Sequence, residues 1–94
     1  EYQKMRPALV VENDDYLSLG NLVTVVPVSS QTDKATLLNV PVRRNEKNRL
    51  QKDSLIKTRQ ISTFDKRRFV KRIGTCQESV LDRVLANISL YLQR

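Results

Sequence analysis

The side chains that could do chemistry in this 94-residue chain are chiefly arginine, lysine, hydroxyl and carboxylate groups, because the sequence contains no histidine. That absence removes the usual acid–base group of many hydrolases and most zinc sites. The lone Cys76 can form no internal disulfide, which suits a reducing cytosol. No glycine-rich phosphate-binding motif is present. We therefore expect a cytoplasmic protein without metal or cofactor, whose chemistry rests on arginine, serine, threonine or a carboxylate.

Positive charge is the strongest compositional signal, with a formal net charge of +7. Twelve basic residues against three acidic ones lie between Arg43 and Arg72, which gives this basic segment a net charge of +9. Its members are Arg43, Arg44, Lys47, Arg49, Lys52, Lys57, Arg59, Lys66, Arg67, Arg68, Lys71 and Arg72. A segment of this kind predicts a groove for a nucleic-acid backbone. An acidic protein partner would be attracted equally well, so charge alone leaves both partners open.

The elements that must position these groups are mostly short strands. Apolar and β-branched runs predict strands at Ala8–Val11, Leu22–Val28, Leu37–Val42, Ser54–Ile61 and Phe69–Ile73, with a loop at 43–52. Pro27 near the end of the second run predicts a sheet edge or a bulge, because proline donates no ladder hydrogen bond.

The C-terminal segment has a different periodicity and predicts a helix from Gln77 to Gln93. Its apolar residues recur at helical spacing: Val80, Leu81, Val84, Leu85, Ile88, Tyr91 and Leu92. Thr75 and Glu78 have the spacing of a capping box at the helix start. The apolar stripe must dock on something, and a curved sheet of the same chain is the simplest partner. We therefore expect one domain over residues 1–94, a small, mainly antiparallel β-barrel closed by a C-terminal helix.

Aromatic residues are few, which limits base stacking as a source of RNA affinity. Phe69 and Tyr91 alternate into predicted elements and are expected in the core. Tyr2, Tyr16 and Phe64 remain as candidate stacking residues. No apolar run approaches the ~20 residues needed to cross a membrane, and no membrane partner is expected.

Four sequence blocks, in order and at suitable spacings, together resemble the MazF/PemK (Kid-like) toxin endoribonucleases. The blocks are an Arg-Pro followed by an apolar strand (residues 6–14), a strand ending Pro-Val-Ser-Ser (residues 25–30), an Asp-Ser strand that leads to Gln-Ile-Ser-Thr-Phe-Asp-Lys (residues 53–66), and Lys-Arg-Ile-Gly (residues 71–74) before the closing helix. The resemblance covers nearly the whole chain. Two departures are that Ser62 stands where many members have arginine, and that the family's first strand would precede Glu1. Truncation and true absence of that strand both remain open.

The resemblance implies an SH3-like barrel of the MazF/CcdB type, a homodimer, and the toxin of a type II toxin-antitoxin system. It implies metal-independent, sequence-specific cleavage of single-stranded RNA, which inhibits translation and growth. In this chemistry the 2′-hydroxyl attacks its own phosphate and leaves 2′,3′-cyclic phosphate and 5′-hydroxyl ends. A MazE/PemI-like antitoxin with an acidic, partly disordered segment would cover the groove, and the basic segment is an independent physical reason for such a partner.

The resemblance carries over two catalytic positions, Arg6 and Ser29, with Ser30 as a second choice for the hydroxyl. Arg6 would stabilise charge on the pentacoordinate phosphorane, and Ser29 would position a phosphate oxygen. Glu1 and Gln60 match family positions and are candidate RNA contacts, as is Lys57 of the basic segment. Arginine effectively keeps its proton in proteins, so it is a poor general base, and a carboxylate such as Glu1 is chemically easier.

Two other functions remain open at the level of the sequence. A DNA gyrase poison of the CcdB type shares the expected fold, although this chain lacks the tryptophan-containing tail usual in that group. A non-catalytic nucleic-acid-binding barrel would explain the charge equally well. It would show salt-dependent binding without a cleavage product.

Overall fold

The computed structural model describes residues 5–94, with the main chain alone at Lys34. Two residues of the sequence predictions, Glu1 and Tyr2, lie outside this range. The strands are β1 (Ala8–Val10), β2 (Leu22–Ser29), β3 (Val40–Val42), β4 (Ser54–Ile56) and β5 (Ser62–Asp65), and the helices are α1 (Asp14–Leu17) and α2 (Glu78–Leu92). No helix in the described part of the chain is both long and apolar enough for a membrane span.

The long strand β2 organises the sheet. β1 pairs with it along one edge, while β4 and β5 pair with different parts of its other edge, and β3 extends the sheet from β4. All these pairings are antiparallel. The predicted class of an antiparallel sheet with a C-terminal helix is thereby confirmed. The described strands do not close into a ring, so the sheet is open where a closed barrel was expected.

The predicted strand 54–61 is divided opposite Pro27, and the missing proline N–H explains the division. Lys57 N donates to the Pro27 carbonyl at 2.9 Å, which is half of a reciprocal antiparallel pair. Pro27 has no N–H to complete it. The Lys57 carbonyl instead accepts from Gln60 N at 2.9 Å, which closes a 3₁₀ turn over Thr58–Gln60. Pro27 was predicted at a sheet edge or a bulge, but it lies on the central strand β2, and this turn between β4 and β5 stands opposite it.

The main core lies between the sheet and α2. Its buried residues are Val26, Val28, Val40, Val42, Ile56 and Val84. Because side chains alternate along a strand, Val26 and Val28 point to the helix face of β2, and Ser29 belongs to the opposite face. Val84 of α2 is fully buried in this cluster, with Val80 and Ile88 packed against it. The helical spacing thus correctly predicted the docking face of α2.

Several local predictions were wrong. Phe69–Ile73 forms no strand, and Leu37–Val42 is a strand only from Val40. Thr75 does not cap α2, because the helix begins at Glu78 with Gln77 as its N-cap. The Thr75 hydroxyl instead accepts a hydrogen bond from Arg72 Nη2 at 2.9 Å. The predicted N-cap Thr75 therefore lies two residues before the observed N-cap, and its hydroxyl is held by Arg72 instead.

Two aromatic residues expected in the core are partly exposed. Phe69 is 38% exposed and meets Phe64 edge-on, with ring centroids 6.2 Å apart. Tyr91 is 42% exposed, and the Arg59 guanidinium lies 5.7 Å from its ring centroid. Leu85, Leu90 and Leu92 of α2 are also exposed. The predicted stripe is therefore covered at its centre but open along its flank and C-terminal end.

Candidate active site

Arg6 and Ser29 are brought opposite each other by the pairing of β1 with β2. The register pairs Ala8 with Pro27. Val28 N then donates to the Pro7 carbonyl at 3.1 Å, so the two segments continue side by side beyond β1. Counted two residues from the Ala8–Pro27 pair, the same register places Arg6 opposite Ser29. Residues twenty-three positions apart in sequence thus become cross-strand neighbours.

Ser29 ends β2 with its hydroxyl already oriented. Its Oγ accepts a hydrogen bond from Gln31 N at 3.1 Å, which is the turn-capping contact common for serine at a strand end. A serine hydroxyl has one hydrogen and two lone pairs. The contact with Gln31 uses one lone pair and leaves the O–H free to donate. Capping and phosphate binding are therefore compatible at this residue.

Arg6 is exposed, and it has no ion-pair or hydrogen-bond partner among residues 5–94. A salt bridge within this part of the chain therefore does not account for it. No acceptor within residues 5–94 occupies its guanidinium, whose planar fork of donors matches two phosphate oxygens.

Lys57 and Gln60 both lie opposite Pro27. Pro27 precedes Ser29 by two residues on β2. The β4 register extends to pair Lys57 with Pro27, and the β5 register extends to pair Gln60 with it. Lys57 is half-buried and Gln60 is exposed. The division at Pro27 thus groups a cation and an amide beside the Arg6–Ser29 pair. Sequence reasoning named both residues but missed this cause, for which Pro27 was the available signal.

Ser30, the second choice for the hydroxyl, lies one residue beyond β2. It is exposed, and its carbonyl accepts from Thr32 N at 3.1 Å as the chain turns away. Because neighbouring residues in an extended chain point to opposite sides, Ser30 does not share the face of Ser29. The register therefore favours Ser29 over Ser30.

The basic segment is divided between distant parts of the fold. Lys66–Arg68 follows β5, which pairs Asp65 with Leu22 at the other end of β2. Seven residues of extended chain separate Leu22 from Ser29, or about 23 Å at the rise of a β-strand. There Asp65 accepts two hydrogen bonds at 3.1 Å from Arg67, and Arg68 lies over the Phe64 ring. These residues do not line a groove at Ser29.

Two carboxylates of the described range, Glu12 and Asp53, are engaged by backbone N–H groups. Glu12 accepts from Thr24 N at 2.9 Å and stands six residues beyond Arg6, roughly 20 Å along an extended chain. Asp53 accepts from Arg44 N at 2.8 Å. Within residues 5–94, no cluster of three or more His, Cys, Asp or Glu side chains is assembled. The position of Glu1, the proposed carboxylate, lies outside this range.

Cys76 adjoins the start of α2, where a thiol pKa can fall, but here it does not. Burial raises the pKa of the Cys76 thiol, with a backbone hydrogen bond acting weakly in the opposite direction. The residue is half-buried and lines a small, largely apolar cavity of about 70 Å³ with Pro7 and Gly74. A role as a small packing residue agrees with this position.

Solved toxins share the fold. The Mycobacterium tuberculosis toxin MazF-mt6 superposes with a TM-score of 0.78 at 21% identity, covering 92% of this chain and 84% of that protein. A crystal structure of an Mtb toxin gives a TM-score of 0.79 at 21% identity, covering 93% and 92% of the two chains. At this level of identity the similarity establishes the fold alone: an antiparallel sheet and C-terminal helix of the MazF type.

A sequence model of the PemK-like, MazF-like toxins of type II toxin-antitoxin systems matches residues 1–92. Since the match spans almost the entire chain, this protein belongs to that family. Membership in a type II toxin family implies an antitoxin as partner. The resemblance noted in the four sequence blocks is confirmed by this match.

Proposed function

We propose that this toxin is a metal-independent endoribonuclease that cleaves single-stranded RNA and thereby inhibits translation. The observation that supports it most strongly is the register that sets Arg6 opposite Ser29, on the face of the sheet away from α2. This arrangement offers a guanidinium fork and a free hydroxyl hydrogen to one phosphate group. Cleavage of mRNA would place the protein's action in the cytoplasm.

The proposed reaction uses the RNA's own nucleophile. The 2′-oxygen forms a bond to phosphorus while its proton passes to a base, and the P–O5′ bond breaks as the 5′-oxygen gains a proton. Arg6 donates to the phosphorane oxygens as their negative charge increases, and the Ser29 hydroxyl holds one of them in place. Lys57 adds positive charge next to this pair, and Gln60 presents an amide to a base edge. Glu1 is the proposed carboxylate for the proton transfer.

We further propose that the chain works as a homodimer and that an acidic antitoxin segment covers the site. Unpartnered apolar surface supports dimerisation: Leu90 and Leu92 of α2 are 59% and 61% exposed, and Val70 is 72% exposed. Exposed apolar surface of this extent commonly marks a protein interface. Sedimentation equilibrium is expected to give twice the chain mass.

The test is incubation of purified protein with a long single-stranded RNA in EDTA. The parent chain is expected to cut, and Arg6→Ala to cut at least ~100-fold more slowly, which is the loss typical when one transition-state donor is removed. Ser29→Ala is expected to lose activity and Ser30→Ala to retain most of it, since only Ser29 faces Arg6. Full cutting by Arg6→Ala would refute its assignment.

The same preparation separates the two rival functions. A gyrase poison would leave RNA intact and inhibit supercoiling, and a non-catalytic barrel would bind RNA without any product. Either result would refute the proposed endoribonuclease.

A further inference from the structure

A second basic site lies outside the Arg6–Ser29 pair, where the turn at 45–49 meets the segment at 72–75. Lys47, Arg49 and Arg72 line one open concavity of about 540 Å³, together with Glu46, Ile73, Gly74 and Thr75. All three basic side chains are exposed, and Glu46 is the one acidic residue among the lining groups. The concavity therefore carries a net positive charge and is open to a ligand.

The turn is held rigidly by a buried asparagine. Asn48 Nδ2 donates to the Arg43 carbonyl at 2.8 Å, and its Oδ1 accepts from Asn45 N and Leu50 N, both at 3.0 Å. Only 9% of Asn48 is exposed. The loop predicted between Arg43 and Lys52 is thus an ordered turn whose basic side chains project from a fixed backbone.

Arg49 occupies this turn in a conformation that disfavours it. Its φ is 54°, in the left-handed region, which costs a non-glycine residue about 1–2 kcal/mol. Asparagine or glycine would relieve most of that strain. Backbone strain of this kind often coincides with function, when the side chain is needed at that point. Here the strained residue is an arginine that faces a basic concavity.

The opposite wall fits the turn closely. Thr75 N donates to the Lys47 carbonyl at 2.8 Å. A Cβ added at Gly74 would come within 2.7 Å of the Asn48 carbonyl carbon and oxygen. Arg72 is itself oriented, since its guanidinium donates to the Gly74 carbonyl and to Thr75 Oγ1. The backbones of the two walls are therefore fixed relative to each other.

The basic concavity lies next to the small cavity that the start of β1 helps to line. Ile73 and Gly74 line it and also line the small cavity whose other wall includes Pro7 and Ala8. Pro7 directly follows Arg6. The basic concavity is therefore linked to the start of β1 through the shared residues Ile73 and Gly74.

We propose that Lys47, Arg49 and Arg72 form a phosphate subsite that binds the RNA backbone away from the scissile bond. The proposal rests on the proposed function. It predicts that RNA long enough to reach the subsite binds more tightly than RNA that covers only the Arg6–Ser29 pair. Contacts to phosphate give affinity without reading the base sequence, so the gain depends on length and salt.

The test uses mixed-sequence 2′-O-methyl RNA labelled with fluorescein, which the 2′-hydroxyl reaction cannot cut. Anisotropy gives the affinity at increasing KCl. Arg49→Asn removes the charge and suits the left-handed backbone, so folding is retained. It is expected to weaken binding about threefold and to reduce the slope of log K against log[KCl] by about 0.7, the value for one phosphate contact to a single strand. Arg49→Lys, which keeps the charge, is expected to keep the parent slope of log K against log[KCl].

The matched control is Arg83→Asn, which removes one exposed arginine of α2 that does not line the concavity. Its salt slope is expected to equal that of the parent. Lys47→Gln, at a residue without positive φ, is a second variant that keeps the test valid if Arg49→Asn fails to fold. The double variant is expected to lose about 1.4 from the slope.

Unchanged slopes in Arg49→Asn and Lys47→Gln would overturn the subsite. The same holds if these variants bind RNA normally but lose affinity for a polyglutamate peptide, which would assign the concavity to an acidic protein. Failure of the proposed function is distinct, because then the parent chain itself would not cut unmodified RNA in EDTA.

Discussion

Gly74 packs so closely against the turn at 45–49 that adding a single methyl group there should destabilise the fold. A Cβ there would lie 2.7 Å from both the carbonyl carbon and the carbonyl oxygen of Asn48, and closer still to the Lys47 carbonyl oxygen. These are backbone atoms of a turn fixed by the Asn48 side chain, so no flexible side chain can move aside. We predict that Gly74→Ala separates the two walls and weakens the Thr75 N–Lys47 carbonyl bond.

The magnitude follows from three terms. Overpacking costs about 1–3 kcal/mol, and the lost hydrogen bond costs about 1 kcal/mol. Replacing glycine also lowers the conformational entropy of the unfolded chain, which stabilises the folded state by about 0.4–1 kcal/mol. The net loss is about 2 kcal/mol, which for a chain of this size lowers Tm by about 8–16 °C.

Gly20→Ala is the matched control, because nothing lies within 4 Å of a Cβ at Gly20. Neither glycine has positive φ, so alanine strains the backbone at neither position. The two substitutions have the same effect on the unfolded chain and differ only in their contacts in the folded state. Gly20→Ala should therefore be stabilised by about 0.4–1 kcal/mol. Urea denaturation measures both. Equal stability of the two variants would refute the argument that the walls are in tight contact.

Three further predictions concern the turn, the thiol and the far end of β2. Asn48→Ala should lose about 2–3 kcal/mol in urea denaturation, because it leaves three backbone partners unsatisfied; exposed Asn21→Ala should stay within about 0.5 kcal/mol. Cys76 should react with Ellman's reagent much more slowly at pH 8 than in unfolded protein, because burial raises its pKa; equal rates would contradict its burial. Arg67 lowers the pKa of Asp65, so the folded carboxyl releases its proton more readily than the unfolded one. Its contribution to stability is present above the ordinary aspartate pKa and is lost as pH falls. In an NMR titration, Arg67→Gln should raise the pKa of Asp65, and an unchanged value would exclude this pairing.

Hydrophobic periodicity predicted the parts of the fold in which burial decides the structure. Val26, Val28 and Val84 meet in the core because strand and helix spacing each direct them to one face. The predicted helix agrees with α2 to within one residue at each end. Elements with a long, regular hydrophobic spacing could therefore be predicted without knowing their tertiary contacts.

Two segments that were predicted wrongly are held by hydrogen bonds that residue type alone does not reveal. Thr75 had the spacing of a cap, but the Lys47 carbonyl and Arg72 hold it outside the helix. Phe69–Ile73 had the composition of a strand but forms none; Phe69 N instead donates to the Lys66 carbonyl after the 3₁₀ turn at Lys66–Arg68.

The candidate site was predictable in its residue types but not in its arrangement. Arg6 and Ser29 were named from the family resemblance, while their opposition follows from the register of β1 on β2. The grouping of Lys57 with Gln60 required knowing that Pro27 lies opposite both. The even groove expected from the basic segment is wrong, because β5 carries Lys66–Arg68 to the far end of β2.

The central claim is that this toxin cuts RNA through the 2′-hydroxyl without a metal, and the chemistry of the cut ends tests it most directly. Parent protein, EDTA and a long single-stranded RNA are incubated, and the fragments are treated with polynucleotide kinase and labelled ATP. We predict that the new 5′ ends accept label without prior phosphatase treatment, and that the 3′ ends carry a 2′,3′-cyclic phosphate detectable by mass. Fragments with 5′-phosphates, or intact RNA, would contradict the claim.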